Sequence, residues 1–176
     1  MKSAKDKYNF LIYSYCLMNN HVHLQLETSD TEIWKIMRRI NYLYARYFNS
    51  KNNYVGHVFQ GRYKSTLIED ELYNLQVSKY IHLNPVKASM TESPKDYKWS
   101  SYSEYLEIGE GDTDTNIDTN TTDTVMKFKG LAEVDYRGLV EVEKILRFFS
   151  FNRRAAYRTF VEGDIDMFWL TDVTDF

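Results

Sequence analysis

Apolar and polar residues alternate through Phe10, Ile12, Leu17, Val22, Leu24 and Leu26, with Tyr13 and Tyr15 among them. Residues 8–27 are therefore predicted to be β-rich, with an irregularity at Met18-Asn19-Asn20. In the second half, Val22, Leu24 and Leu26 share one strand face, while His21, His23 and Gln25 share the other. After Ser29 the period changes. Ile33, Ile36, Met37, Ile40 and Tyr44 predict a helix over 29–49, opened by the capping-box spacing of Ser29 and Glu32. Gly56 to Ile68 reads as a strand or hairpin arm, in which Gln60, Arg62 and Lys64 alternate with Phe59, Tyr63 and Ser65. Leu72, Leu75, Gln76, Lys79, Tyr80 and Leu83 return to the helical period, which Asn84-Pro85 is predicted to interrupt or kink. Ser101 and Glu104 have the spacing of another capping box, and Trp99 is expected as a core anchor. Val140, Ile145, Leu146, Phe148, Phe149, Ala155, Tyr157, Phe160 and Val161 predict one or two C-terminal helices. The class expected is α+β, an antiparallel sheet flanked by helices with a small helical C-terminal extension.

Composition narrows this picture. With 176 residues, 43% of them hydrophobic, the chain can bury one core and carry an appendage. The single cysteine, Cys16, excludes a disulfide framework and a cysteine-rich zinc site, and suits a buried strand position in a reducing compartment. No signal peptide and no run long enough to span a membrane are evident, so a cytoplasmic protein without a membrane partner is expected. The net charge of −3 is unevenly spread. Residues 1–108 carry 14 Lys and Arg against 11 Asp and Glu, whereas 109–124 carry five acids and no base. That region of Asp, Thr, Asn and Gly cannot bury enough surface to order itself. The expected division is a catalytic block at 1–108, an acidic flexible linker at 109–128 and a helical extension at 129–176.

His21 and His23 lie on a polar strand face, where they are either a solvated, hydrogen-bonded pair or two ligands of a metal ion. Arg38, Arg39 and Arg46 fall largely outside the apolar stripe of their helix, as a solvated face or as phosphate contacts. The basic and aromatic alternation over 56–68 suits single-stranded nucleic acid, which requires phosphate neutralisation and stacking platforms. Tyr80 and Asn84 stand at i and i+4, on one face if the helix persists, with His82 pointing roughly the opposite way. His57 and His82 read as structural or DNA-contacting. Arg147, Arg153, Arg154 and Arg158 make the C-terminal extension either a DNA- or hairpin-binding appendage or a simple docked element.

Four stretches stand in a telling order: Leu17-Met18-Asn19-Asn20-His21-Val22-His23-Leu24, Gly56 to Ser65 with its Phe-Gln-Gly-Arg-Tyr, Tyr80-Ile81-His82-Leu83-Asn84-Pro85-Val86-Lys87-Ala88, and Tyr97-Lys98-Trp99-Ser100-Ser101-Tyr102. Over residues 8–106 the chain resembles the single-tyrosine HUH transposases, most closely the REP-associated tyrosine transposase branch, with a weaker likeness at Glu141–Glu162. The resemblance implies a ferredoxin-like antiparallel sheet and a metal-dependent endonuclease and strand transferase acting on single-stranded DNA, often beside a hairpin. It implies that His21, His23 and Asn84 hold Mg or Mn, and that Tyr80 is the nucleophile, forming a 5′-phosphotyrosine and freeing a 3′-hydroxyl. DNA contacts are expected from Arg38, Arg39, Arg46, Gln60, Arg62, Lys64 and Lys87. Two imidazoles and a side-chain oxygen leave an ion with open positions for a phosphate oxygen. Family members carry a first strand and helix ahead of the HUH strand, whereas twenty residues precede His21 here. A missing first strand and helix are therefore expected, and a second subunit, hence a homodimer, is one way to compensate. The competing expectations are a catalytically inactive single-strand or hairpin DNA-binding remnant, and an RNA-binding protein built on the same sheet.

Overall fold

A computed structural model describes residues 1–106 and 138–163; the expected linker at 109–128, and the parts of the extension at 129–137 and 164–176, lie outside the described residues. Strands β1 (Phe10–Leu17) and β2 (Val22–Thr28) pair antiparallel, with Cys16 opposite His23, Tyr15 opposite Leu24 and Ile12 opposite Leu26. The register shifts between Ile12 and Ser14. Met18-Asn19-Asn20 forms the turn, closed by the Met18 N–H donating to the His21 carbonyl at 2.9 Å.

The two sheet faces carry separate cores. Ile12, Tyr15, Leu24 and Leu26 pack with Ala4 of α1 (Lys2–Lys5) and with Ile36 and Ile40 of α2 (Ile33–Asn52). On the other face, Leu11 and Tyr13 pack with Leu75 and Leu83 of α3 (Glu71–Lys87) and Tyr102 and Tyr105 of α4 (Tyr102–Leu106). Ile145 and Leu146 of α5 (Glu143–Leu146) and Tyr157 and Val161 of α6 (Arg153–Glu162) complete that core. The architecture is α+β, a two-stranded antiparallel sheet between helical layers, with a helical C-terminal part docked on the α3 face. Among the described residues no helix is long and apolar enough to cross a membrane.

An unpaired strand edge exposes backbone groups that invite association. Here the outer edge of β1 is covered by distant segments. Leu17 N–H donates to the Trp99 carbonyl, Ser101 N–H to the Tyr15 carbonyl and Glu141 N–H to the Ile12 carbonyl, at 2.8 to 3.0 Å.

A buried polar chain joins these layers. The Tyr157 hydroxyl lies 2.6 Å from Ser78 Oγ and 2.7 Å from His82 Nδ1, and His82 Nε2 lies 2.8 Å from Ser101 Oγ. Ser101 Oγ also accepts from the Tyr15 N–H at 2.9 Å. Ser78, His82, Ser101 and Tyr157 are fully buried. A neutral imidazole, donating from one nitrogen and accepting at the other, satisfies both of its partners.

Several expectations are revised. Helix α2 starts at Ile33, because Ser29 Oγ donates to the Asn9 carbonyl instead of capping, and Glu32 pairs with Lys35. Ser101 is a bridge to His82 and β1 rather than a capping side chain. Helix α3 runs unbroken through Pro85, which is buried in its last turn, so tertiary burial offsets a helix-interior proline cost of about 3 kcal/mol. Its start is capped by Asp70, whose Oδ1 accepts from the Tyr73 N–H at 2.8 Å. Gly56–Ile68 is neither strand nor hairpin: β1 and β2 pair with each other, Gly56 sits at φ 146, and this segment is mostly exposed. Trp99 is exposed; its backbone, not its indole, anchors β1. The C-terminal arginines are engaged with their own chain: Arg147 pairs with Glu71, Arg153 with Glu143 and Arg158 with Glu162, and Arg154 donates to the Glu104 carbonyl.

Burial pushes the His82 imidazole down to about 3, far below its unfolded value. Between pH 6.5 and 3 only the unfolded chain takes up this proton. The stability contributed by the neutral ring is therefore full above pH 6.5 and falls as pH drops, by about 1.4 kcal/mol per pH unit. Urea unfolding is expected to lose about 2 kcal/mol between pH 6.5 and 5 from this group. His82→Gln, less stable at pH 7, should flatten the profile in that interval; an unchanged slope in the variant would exclude the assignment.

Candidate active site

His21 ends the β1–β2 turn and His23 is the second residue of β2, so their rings project to the same side of the hairpin. Both backbone polar groups of Leu17 anchor this turn from outside, its N–H to the Trp99 carbonyl and its carbonyl accepting from the Tyr97 hydroxyl at 2.7 Å. His21 Nδ1 lies 2.7 Å from Asn20 Oδ1, which makes it the protonated nitrogen and Nε2 the acceptor of the ring. That Nε2 stands 3.0 Å from His23 Nε2, with the ring centroids 4.7 Å apart and edge-on. His23 is pushed down to about 4, first by burial, then by the charge of His21, against an opposing influence of the Asn84 amide. It is thus neutral at physiological pH, the state in which imidazole binds metal.

Gln25 continues the same strand face and fixes the opposing helix. Its Oε1 accepts from Ser14 Oγ at 2.6 Å, and its Nε2 donates to the Asn74 carbonyl at 2.8 Å and to Asn74 Oδ1 at 2.6 Å. The first turns of α3 are thereby tied to β2, and its later turns meet the histidines. Tyr80 lies edge-on to His23 at 5.6 Å between ring centroids. One turn on, Asn84 Nδ2 donates to the Tyr80 carbonyl at 2.8 Å, which orients the amide, and the Asn84 side chain lies near enough to act on the His23 ring. Lys87 Nζ sits 4.6 Å from the Tyr80 ring centroid. Burial, and then the charge of Lys79, lowers the Lys87 ammonium, and burial lowers Lys79.

The two Nε2 atoms stand together at the end of the hairpin, where both imidazoles could serve one ion. Among the described residues no cluster of three or more His, Cys, Asp or Glu forms a metal site, so a closed tetrahedral site is not built here. Two imidazoles and the Asn84 amide oxygen instead fit a partial donor set that leaves positions for phosphate oxygens and water.

Residues 1–84 match the family model described as Transposase IS200 like. The match supports a transposase, and with it DNA transposition, for this segment. The transposase-like segment ends at Asn84 and so contains His21, His23, Tyr80 and Asn84 together. No curated protein and no solved structure matches the chain.

Not every residue expected to contact the substrate joins this cluster. Lys87 does, through Tyr80. Arg38, Arg39 and Arg46 sit on α2, which packs on the opposite sheet face; Arg39 Nη2 reaches Ser3 Oγ at 3.5 Å. Gln60, Arg62 and Lys64 are exposed on the irregular segment before α3. Reading the sequence missed Ser14, Gln25 and Asn74 as positioning residues. The available signal was Gln25 itself, two residues beyond His23 on the face that carries both histidines. His82 is a buried hub and makes no DNA contact from that position.

Mn titration followed by the electron paramagnetic resonance of free ion tests the donor set without any reaction. Wild type is expected to bind; His21→Ala or His23→Ala should abolish binding, and Asn84→Asp should tighten it about tenfold by replacing an amide with a carboxylate. Undiminished binding in His23→Ala would remove the pair from the site.

Proposed function

We propose that this protein is a metal-dependent single-strand DNA endonuclease and strand transferase that cuts and rejoins DNA through a 5′-phosphotyrosine on Tyr80, in DNA transposition. The observation that supports this most directly is the meeting of two imidazoles from the β1–β2 hairpin with a tyrosine and an amide on one face of α3. His21, His23 and Asn84 would hold Mg or Mn, whose charge offsets the negative charge that builds on the scissile phosphate.

The remaining work belongs to the chain. The Tyr80 phenol oxygen bonds to phosphorus as the bond from phosphorus to the 3′ oxygen breaks; the phenol proton passes to solvent and the released 3′ oxygen takes one up. A free phenol, with a pKa of about 10, is a weak nucleophile at neutral pH, and the Lys87 ammonium over the Tyr80 ring favours negative charge on it. The tyrosyl phosphodiester keeps the bond energy. A 3′-hydroxyl of the same or another strand reverses the step and frees Tyr80, with no external energy source.

Arg38, Arg39, Arg46, Gln60, Arg62 and Lys64 supply contacts to DNA outside the cleavage site, in keeping with phosphate neutralisation as the main source of affinity. The target is an unpaired strand beside a hairpin, as in the REP-associated branch that the motifs resemble, and the setting is the cytoplasm, where the thiol of buried Cys16 stays reduced.

Full-length protein incubated with hairpin-bearing single-stranded DNA and Mn should form an adduct that survives denaturing electrophoresis. DNA labelled at its 3′ end should be retained on the protein, while a 5′ label should leave on a fragment ending in a 3′-hydroxyl. Tyr80→Phe should form no adduct, and His21→Ala should lose on the order of a hundredfold or more. Adduct in Tyr80→Phe, or retention of the 5′ label, would overturn the mechanism; binding without adduct in wild type would favour the inactive DNA-binding reading.

A further inference from the structure

Residues 33–68 hold seven Lys and Arg and no Asp or Glu. The same stretch holds eight of the twelve large apolar side chains that stand exposed among the described residues, so positive charge and uncovered rings are concentrated together. Ile36 and Ile40 give α2 to the sheet, and Tyr44 and Tyr47 continue that side of the helix one and two turns further on, where their rings stand exposed. Tyr44 lies 5.8 Å from Phe59 and 6.1 Å from Phe48, and Phe48 lies 6.1 Å from Tyr54. Beside this string an open hollow is lined by Leu43, Arg46, Tyr47, Ser50 and Lys51, with Lys51 Nζ 5.5 Å from the Tyr47 ring centroid. Tyr44, Tyr47, Tyr54 and Phe59 are between 39 and 48% exposed.

Ring faces bordered by cations with no acid among them complement a polymer that presents flat bases and regularly spaced phosphates. Resting on the proposed single-strand DNA activity, we propose that Tyr44, Tyr47, Tyr54 and Phe59, with Arg46 and Lys51, form a stacking platform for unpaired DNA bases. The platform lies in the α2 layer, whereas His21, His23 and Tyr80 lie toward α3. The nucleotides it holds are therefore not those that are cut; it grips flanking strand on the far side of the hairpin.

The test measures fluorescence anisotropy of a labelled oligo-dT without a hairpin, binding to the full chain, with circular dichroism as the folding control. Tyr44→Ala and Tyr47→Leu should each weaken binding about tenfold, while Tyr47→Phe, which keeps the ring, should bind as wild type. Should the ring variants unfold, Lys51→Glu and Arg46→Glu keep the question open to test, and each should weaken binding and flatten its salt dependence. Wild-type affinity in Tyr47→Leu would overturn the platform, as would equal losses in Tyr47→Phe and Tyr47→Leu, or tighter binding of oligo-U than of oligo-dT. Dissociation of a dimer by these variants with DNA binding intact would assign the face to a second copy of the chain instead. The two readings fail separately: the platform fails if the variants bind oligo-dT normally while wild type forms the tyrosyl adduct, and the cleavage reading fails if binding follows the ring pattern while wild type forms none.

Discussion

The neutral His82 side chain at the back of α3 is the contact on which the rest of the molecule depends. Its two nitrogens join the C-terminal helix, through Tyr157, to strand β1, through Ser101. A helix turns about 100° per residue, so the position two before His82 points nearly the other way. Tyr80 is therefore aimed at the histidines because His82 is held from behind. The tie between Gln25 and Asn74 then sets the height of the helix along the strand. Rotation and translation of α3 are controlled by separate buried polar contacts. Neither contact touches the proposed reaction, yet together they determine where the tyrosine stands.

Much of the site was legible because its signals are local. A strand alternates faces regardless of what packs on it, so His21, His23 and Gln25 shared a face from sequence alone. Tyr80 and Asn84 were one turn apart on any helix that continued, and only Pro85 put the last turn in question. What resolved that doubt is not local: Ile81, Leu83 and Pro85 are buried, and the packing holds helical geometry against the missing N–H. Ser101 illustrates the opposite error. Its spacing to Glu104 imitates a capping box, but its hydroxyl is drawn to His82 and to a β1 amide 86 residues away. Alternation over 56–68 likewise describes a strand only where a neighbouring strand exists to pair with it, which no short-range pattern reveals.

Charge had a similar limit. The C-terminal arginines and those of α2 look alike as text. In the fold the former meet Glu71, Glu143, Glu162 and the Glu104 carbonyl, so they brace the docked helices. The latter stand on a helix without a single acid. Net charge cannot separate these cases, because what matters is whether a cation has been claimed by its own chain.

The covered edge of β1 also bears on when the protein becomes whole. Its partners are Trp99, Ser101 and Glu141, and His82 waits for Tyr157, which is 75 residues further along the chain. Contacts of such sequence separation form late, and a chain leaving the ribosome makes them only after α6 has emerged. Until then the back of α3 has no Tyr157 to bind and the strand edge lacks its final donor. Synthesis of α6 thus acts as a clock, delaying the seating of Tyr80 until the chain has been made past Tyr157.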